Sequence, residues 1–301
     1  MYSEFVSAVQ NALPKLKILQ NESMSRHTSF RIGGPAQVMI FPDSVEALSV
    51  CRRMLFYFNI ETLVLGAGTN ELAPDEGLDR VILCLKDTLD EIKILPGNRI
   101  EAYAGATLAK VAIAARNAAL SGLEFAHGIP GTVGGGVYMN AGAYGGELKQ
   151  VTEAVTVMDA DGTLREIVCD NDTFGYRTSI FEGNDTFIIK AVFRLQTGDA
   201  DVIQATMSEL MEKRRKSQPL ELPSAGSTFK RPVGGYAAAL IDEAGLKGFR
   251  VGDAAVSEKH AGFVVNLGDA TAKDVLTLMD EIKKIVEERS GIVLSPEVRI
   301  W

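Results

Sequence analysis

The chain is short of the residues that build metal centres and covalent cross-links. Its 301 residues include three cysteines (Cys51, Cys84, Cys169) and three histidines (His27, His127, His260), all far apart. No C-x-x-C or H-x-x-x-H spacing occurs, so a structural zinc site has no local ligand set to start from. Unspaced cysteines in an odd number argue against a disulfide framework. They suit a reducing cytosol, where they serve as small buried hydrophobes. Long apolar runs are missing too: none approaches the ~20 residues that span a bilayer. Met1–Gln20 carries Glu4 and Lys15 and lacks the continuous apolar segment of a signal peptide. Positive charge is scarce, with 31 Lys plus Arg against 39 Asp plus Glu and a net charge of −8. Such a chain does not coat a phosphate backbone or an anionic membrane, so any anionic ligand must meet a local basic cluster. The expectation is a cytoplasmic protein with small-molecule partners, no nucleic acid and no membrane.

Apolar residues and glycine are plentiful. A hydrophobic fraction of 46% over 301 residues suffices for more than one core and suggests two or three domains. Asp43, with Glu46 at the third helical position, opens a helix to about Phe58. Thr62–Leu65, Arg80–Leu85, Ile92–Leu95 and Arg99–Ala104 read as short strands. Thr107 caps the alanine-rich helix Leu108–Leu120, and Ala154–Asp159 with Leu164–Cys169 reads as a hairpin. Thr186–Leu195 is a further strand. Asp201 caps a helix to about Lys216, Thr271 caps a long amphipathic helix ending near Arg289, and Glu297–Trp301 is a strand. The character of the chain changes at 196–201. We therefore expect an N-terminal segment 1–30, a domain 31–197 of alternating short strands and helices, and an α+β module 198–301.

Two glycine-rich segments stand out. In LVLGAGTN (63–70) the glycines follow an apolar strand directly. A Rossmann fingerprint needs a third glycine three positions on and a helix starting there, and Glu71 and the turn PDEG (74–77) exclude it. What remains is a nest of backbone N–H groups able to curl around an anion, or an ordinary strand-end turn. The second segment holds eight glycines between Gly128 and Gly146. Without Cβ atoms, such a backbone lets a flat or phosphorylated ligand lie against it.

These segments sit in a larger pattern. SGLEFAHGIPGTVGGGVYMNAGAYGGEL (121–148) resembles the flavin-binding signature of the UDP-N-acetylenolpyruvoylglucosamine reductase family, in its shorter type. The resemblance runs nearly end to end, through HTSFRIGGPA (27–36), LGAGTN (65–70), GYRTS (175–179), GSTFK (226–230), AGLKGFRVGDAAVSEKHAGFVVN (244–266) and SPEVR (295–299). One departure is clear: the family's loop more usually reads GGGSNLL, whereas here it reads GAGTNEL and Glu71 brings a charge. The resemblance implies an α+β fold: a two-lobed FAD-binding domain of the PCMH/vanillyl-alcohol-oxidase type, plus a C-terminal α+β substrate domain. It implies non-covalent FAD, NADPH as co-substrate and a UDP-sugar substrate; a monomer is expected. It assigns Gly66, Ala67, Gly68, Thr69 and Asn70, with Pro130, Gly131, Thr132, Gly134 and Gly135, to the FAD diphosphate. Asn140, Gly142 and Val192 lie nearer the isoalloxazine, and Arg31 belongs to the same cofactor wall.

The reaction so implied reduces an enolpyruvyl ether to a lactyl ether in peptidoglycan precursor synthesis, with hydride passing from NADPH to the flavin and on to the vinyl carbon. The enolate formed needs a cation at its carboxylate and a proton for its carbon. Arg177, beside Tyr176, is permanently charged and can fork onto a carboxylate. Ser227 is the expected proton donor, and Glu297 matches the family's catalytic glutamate. The run KRRK (213–216) with Gln218 is the densest basic spot, part of it complementing a helix dipole. Arg214, Lys216, Gln218 and Lys230 are therefore expected to hold substrate phosphates. His127 and His260 read as structural. Two alternatives are a flavin oxidase of the same wider fold acting on a sugar or lactone, and a nucleotide-sugar-binding protein without catalysis.

Overall fold

The expected strands form, the last shortened to Arg299–Ile300, and they pair both in local hairpins and across distant parts of the chain. The computed structural model describes residues 1–301. Five strands build one antiparallel sheet in the order Leu164–Val168, Thr152–Met158, Phe187–Arg194, Arg99–Tyr103 and Ile92–Leu95. A second sheet runs Lys17–Ser23, Pro35–Phe41, Leu78–Cys84 and Thr62–Leu65, with its last two strands parallel. Helices Tyr2–Ala12 and Val45–Tyr57 pack together, burying Phe5, Val6 and Val9 from one and Leu48, Cys51 and Leu55 from the other. The spacing of three and four residues is that of a single apolar helix face. Burial pushes the Cys51 thiol up to about 12, so it stays a neutral core residue.

The chain divides into two compact units that do not follow the cuts at 30/31 and 197/198. The first comprises Met1–Gln20, Gln37–Ala67 and Arg80–Lys213; the second comprises Asn21–Ala36, Gly68–Asp79 and Arg214–Trp301. Helix Ala200–Ser217 begins beyond the expected cut, yet it buries Ile203 and Met207 in the first unit's core. Conversely, the excursions 21–36 and 68–79 carry Phe30, Ile32 and Leu72 into the core of the second. Composition along the chain does not register such long-range burial. The second unit is built on a sheet of Arg250–Val251, Ala254–Val256 and Val264–Asn266. Helix Ala272–Ser290 packs on this sheet and buries Val275, Leu278, Met279, Ile282 and Val286.

Several element ends differ from expectation by a turn or less. The first capping residue is Ser44, not Asp43: its hydroxyl accepts the Ala47 N–H at 3.1 Å. Helix Ala200–Ser217 is capped by Asp199, whose carboxylate accepts the N–H groups of Asp201 and Val202 at 2.8 and 3.1 Å. Helix Leu108–Asn117 stops three residues early, with Ala119 in the left-handed region at φ +54°. Inside the glycine block stands a short helix, Val133–Tyr138. No helix is long and apolar enough to cross a membrane.

Helix Ala272–Ser290 starts as expected. Thr271 and Asp274 form a reciprocal capping box, and the Asp75 carboxylate accepts two more N–H groups, of Ala272 at 2.8 Å and Lys273 at 3.1 Å. Thr271→Ala should lower stability by about 1 kcal/mol, read as a lower urea midpoint, while Thr271→Ser should hold it. An unchanged midpoint in the alanine variant would mean that Asp75 alone satisfies the helix start.

Candidate active site

The two glycine-rich segments meet where the first begins. A Cβ on Gly66 would overlap the Thr132 hydroxyl, so no side chain fits at 66. Thr132 is 2% exposed, and its Oγ1 is buried without a hydrogen-bond partner. A buried polar atom left unpaired costs roughly 1–3 kcal/mol, and such orphans concentrate at sites that await a ligand. The second segment is pinned by its backbone. Gly131 O accepts from Leu108 N–H at 3.0 Å, and the N–H groups of Val133 and Gly134 donate to Ala106 and Ala104 at 2.8 and 2.9 Å. Gly134 and Gly135 lie in the first turn of helix Val133–Tyr138, and Pro130 is exposed before it. That helix packs on strand Phe187–Arg194, which carries Val192.

The structure divides loop 66–70 between the two units, with Gly66 and Ala67 in the first and Gly68, Thr69 and Asn70 in the second. Gly68 has φ +61°, and a Cβ there would overlap the His27 carbonyl. Its own carbonyl accepts the Ser29 N–H at 2.8 Å, and Ser29 Oγ donates to Ser224 O at 2.6 Å. Asn266 Nδ2 donates to Phe30 O at 3.1 Å. Three separate sequence motifs, with Ser224 just before a fourth, are thereby tied into one cluster.

Arg177 stands at the tip of a two-residue turn between Phe174–Gly175 and Thr178–Ser179, in the left-handed region at φ +56°. That backbone is uncommon for a side-chain-bearing residue and is held only where surroundings over-determine it. Here Ser179 Oγ donates to Tyr138 O at 2.7 Å, and Asn140 Nδ2 donates to Gly175 O at 2.9 Å. The guanidinium lies 5.5 Å from the ring centroid of Tyr176 and donates to Gly142 O at 3.2 Å. The Asn140 side chain is fully committed to the frame, since Nδ2 also donates to Glu147 at 2.8 Å and Oδ1 accepts Lys149 N–H at 2.9 Å. Its backbone N–H is spent as well, donating to Val137 O at 3.2 Å, and the residue is buried.

Ser227 and Glu297 are brought together in the second unit. Phe229 pairs antiparallel with Pro296, Lys230 N–H donates to Ser295 O at 2.8 Å, and Glu297 N–H donates to Thr228 O at 2.8 Å. Thr228 is buried and its Oγ1 accepts Val264 N–H at 3.0 Å. Next to it Ser227 is exposed, following Gly226 at φ +77°, and its hydroxyl makes no hydrogen bond within the chain. The other edge of the segment carrying Glu297 is held as well. Asn70 Nδ2 donates to Glu297 O at 3.1 Å, and Arg299 N–H and Trp301 N–H donate to the carbonyls of Asn70 and Leu72 at 2.9 and 3.1 Å. Strand Arg299–Ile300 thus pairs parallel with Glu71–Leu72. Sequence reasoning missed this pairing, since the two strands are two residues each and lie more than two hundred residues apart.

The remaining candidates are peripheral to these clusters. Arg31, exposed and at φ +56°, lines a cavity of about 300 Å³ with Gly33, Gly34, Asp75 and Thr271. Arg214 is half-buried and Lys216 exposed at the end of helix Ala200–Ser217, and Gln218 Oε1 is buried without a partner. Lys213, outside the assigned set, is paired with Glu209 at 2.6 Å. Burial, then the Arg116 guanidinium, push His127 below its usual range. Burial lowers His260 too, and its Nδ1 accepts Gly262 N–H at 3.1 Å, so both rings are neutral at pH 7.

Comparison with known proteins matches this division of labour. Residues 36–167 match an FAD binding domain, and residues 218–301 match the C-terminal domain of UDP-N-acetylenolpyruvoylglucosamine reductase. The reductase of Agathobacter rectalis is 46% identical over 100% of this chain and 99% of its own. That of Clostridium novyi is 45% identical over 97% and 94%. The crystal structure of the Thermus caldophilus reductase superimposes with a TM-score of 0.80 at 35% identity, covering 95% of this chain and 99% of that one. Alkyldihydroxyacetonephosphate synthase shares the fold alone, with a TM-score of 0.51 at 13% identity over 65% of this chain and 41% of its own. With its two domain matches in order and relatives aligned end to end, the chain belongs to the UDP-N-acetylenolpyruvoylglucosamine reductase family.

Proposed function

We propose that this chain reduces UDP-N-acetylglucosamine enolpyruvate to UDP-N-acetylmuramate with NADPH in peptidoglycan precursor synthesis, and that Arg177, Ser227 and Glu297 carry the chemistry of the chain itself. The residues present fit FAD: Gly66 has no room for a side chain and lies beside the orphaned Thr132 hydroxyl of the second segment. Gly66–Asn70 and Pro130–Gly135 would hold the diphosphate, with Arg31 in the wall and Asn140, Gly142 and Val192 nearer the ring. When bound, FAD accepts hydride from NADPH and supplies it to the vinyl carbon of the substrate.

The chain's own task is to manage the charge and the proton that this transfer demands. Arg177, fixed by its turn and by Gly142 O, would bind the substrate carboxylate, into which the developing negative charge spreads. Ser227 would give the proton that quenches the enolate carbon. A serine hydroxyl is a feeble acid, and an enolate carbon is basic enough to take its proton. The observation that carries this reading is the Ser227 hydroxyl itself: it is exposed, uses no partner in the chain, and stands one residue from the Thr228 carbonyl that holds Glu297. Glu297, on the segment held by Thr228 O, would stabilise the enolate together with Arg177. Arg214, Lys216, Gln218 and Lys230, with Tyr176 from the Arg177 turn, would bind the UDP-sugar. Small molecules are the expected partners of a monomer, and the unpaired cysteines support a cytoplasmic setting.

Only the second half-reaction creates an enolate, so the two steps separate the roles. Ser227→Ala should fold, bind FAD and be bleached by NADPH at near the parental rate. Its reoxidation by the enolpyruvyl substrate should slow by at least ~10², the low end for a positioned proton donor. Stopped-flow flavin absorbance reads both; equal slowing of the two steps would make Ser227 structural, and no slowing would assign the proton elsewhere. Arg214→Ala and Lys216→Ala should raise the substrate KM with flavin content unchanged, because a phosphate contact made in both ground and transition states affects binding. Unchanged KM in both would reduce this helix end to dipole capping.

A further inference from the structure

Glu71, where the family more usually has an apolar residue, is not absorbed by the function above. It pairs in parallel register with Arg299, so the two side chains leave the ladder on the same face, joined there by Trp301 two residues on. One oxygen of its carboxyl is fully shut off from solvent and has no hydrogen-bond partner. The residue before it, Asn70, is bonded to the Glu297 carbonyl through its side chain and to Arg299 N–H through its backbone. Segment 295–301 therefore runs between two edges. Residues 228–230, next to Ser227, hold one; residues 70–72, with Glu71 at their centre, hold the other.

We propose that Glu71 is a positioning residue: its carboxyl, bonded by the Trp301 side chain and facing the charge of Arg299 across the paired strands, fixes the segment that carries Glu297 and so sets the placement of that glutamate. This rests on the reductase reading for the role of Glu297, but the Glu71–Arg299–Trp301 cluster stands without it. The charged group facing Glu71 is Arg299 on the paired strand, and the Trp301 side chain also favours the ionised form. Burial outweighs both and pushes the carboxyl up to about 7. Above that pH the ionised carboxyl attracts the Arg299 guanidinium; below it that attraction is lost. Ionisation is harder in the folded chain than in the unfolded one, whose carboxyl titrates near 4.5. The stability that the raised value contributes is thus present below that range and lost as pH rises through about 7. Glu71 consequently holds the segment in place at a cost in stability, a combination that a merely structural residue does not give.

The test uses the holoenzyme and its Glu71→Gln variant, which is isosteric and cannot ionise. Trp301 is the chain's single tryptophan, so its emission reports directly on this cluster. Parental emission should shift with a midpoint near pH 7, and the variant's should stay flat. Parental flavin reoxidation by the enolpyruvyl substrate should rise through the same midpoint. In the variant it should be pH-independent there and roughly tenfold slower at about pH 8, a modest misplacement penalty, with reduction by NADPH unchanged. Heat resistance should move in the variant's favour as pH rises from about 5 to 8. Flat parental emission, or equal reoxidation profiles in the two proteins, overturns the proposal. Should the variant not fold, the parental emission titration decides alone. A parental protein never reoxidised by this substrate would instead overturn the reductase reading.

Discussion

The second unit depends on a segment held by both its edges. Glu297 donates its N–H to Thr228 O on one side and accepts from the Asn70 side chain on the other, at 2.8 and 3.1 Å. Each such bond is worth only about 1 kcal/mol net. Their value lies in register: side chains alternate along an extended segment, so a slip of one residue would turn Glu297 and the buried Val298 to opposite faces. The burial of Val298, Leu294, Phe229 and Leu72 in one core opposes that slip. Hydrophobic burial sets the register, and the register delivers the glutamate.

A different constraint governs the first unit, namely the absence of side chains where backbones approach. A Cβ on Gly66 would collide with Thr132, and the second glycine segment spends its carbonyls and N–H groups on residues 104–108. Polar side chains there brace the frame. Asn140 spends its whole amide on Glu147, Gly175 and Lys149, and Ser179 ties the Arg177 turn to the end of helix Val133–Tyr138.

Much of the fold was legible in local sequence. Thr107 and Thr271 cap the helices they were expected to cap, because a hydroxyl before an apolar period leaves the helix start little choice. The hairpin around Asp161-Gly162 and the central strands formed for the same reason: local pattern and tertiary burial agree. Legibility ended where distant segments decide. Ile203 and Met207 carry a helix into a core that its position in the sequence does not suggest, and the excursion 68–79 joins residues 214–301. The site residues were identified by resemblance, which named Ser227 and Glu297 without revealing that Thr228, next to Ser227, and Asn70 hold Glu297 from its two sides. Glu71 was recognised as a departure beside the glycine loop, and its partners Arg299 and Trp301 came from the fold.

Residues 70–72, 227–230 and 295–301 are joined by backbone pairing and should behave as one structural element. Amide hydrogen exchange measures this directly, since segments that open together share an opening free energy. The N–H groups of Glu297, Arg299 and Trp301 should exchange as slowly as those of Thr228 and Lys230, and should be released together when Asn70→Ala removes the side-chain bond to Glu297. Free exchange at Arg299 and Trp301 beside a protected Thr228 would contradict the account.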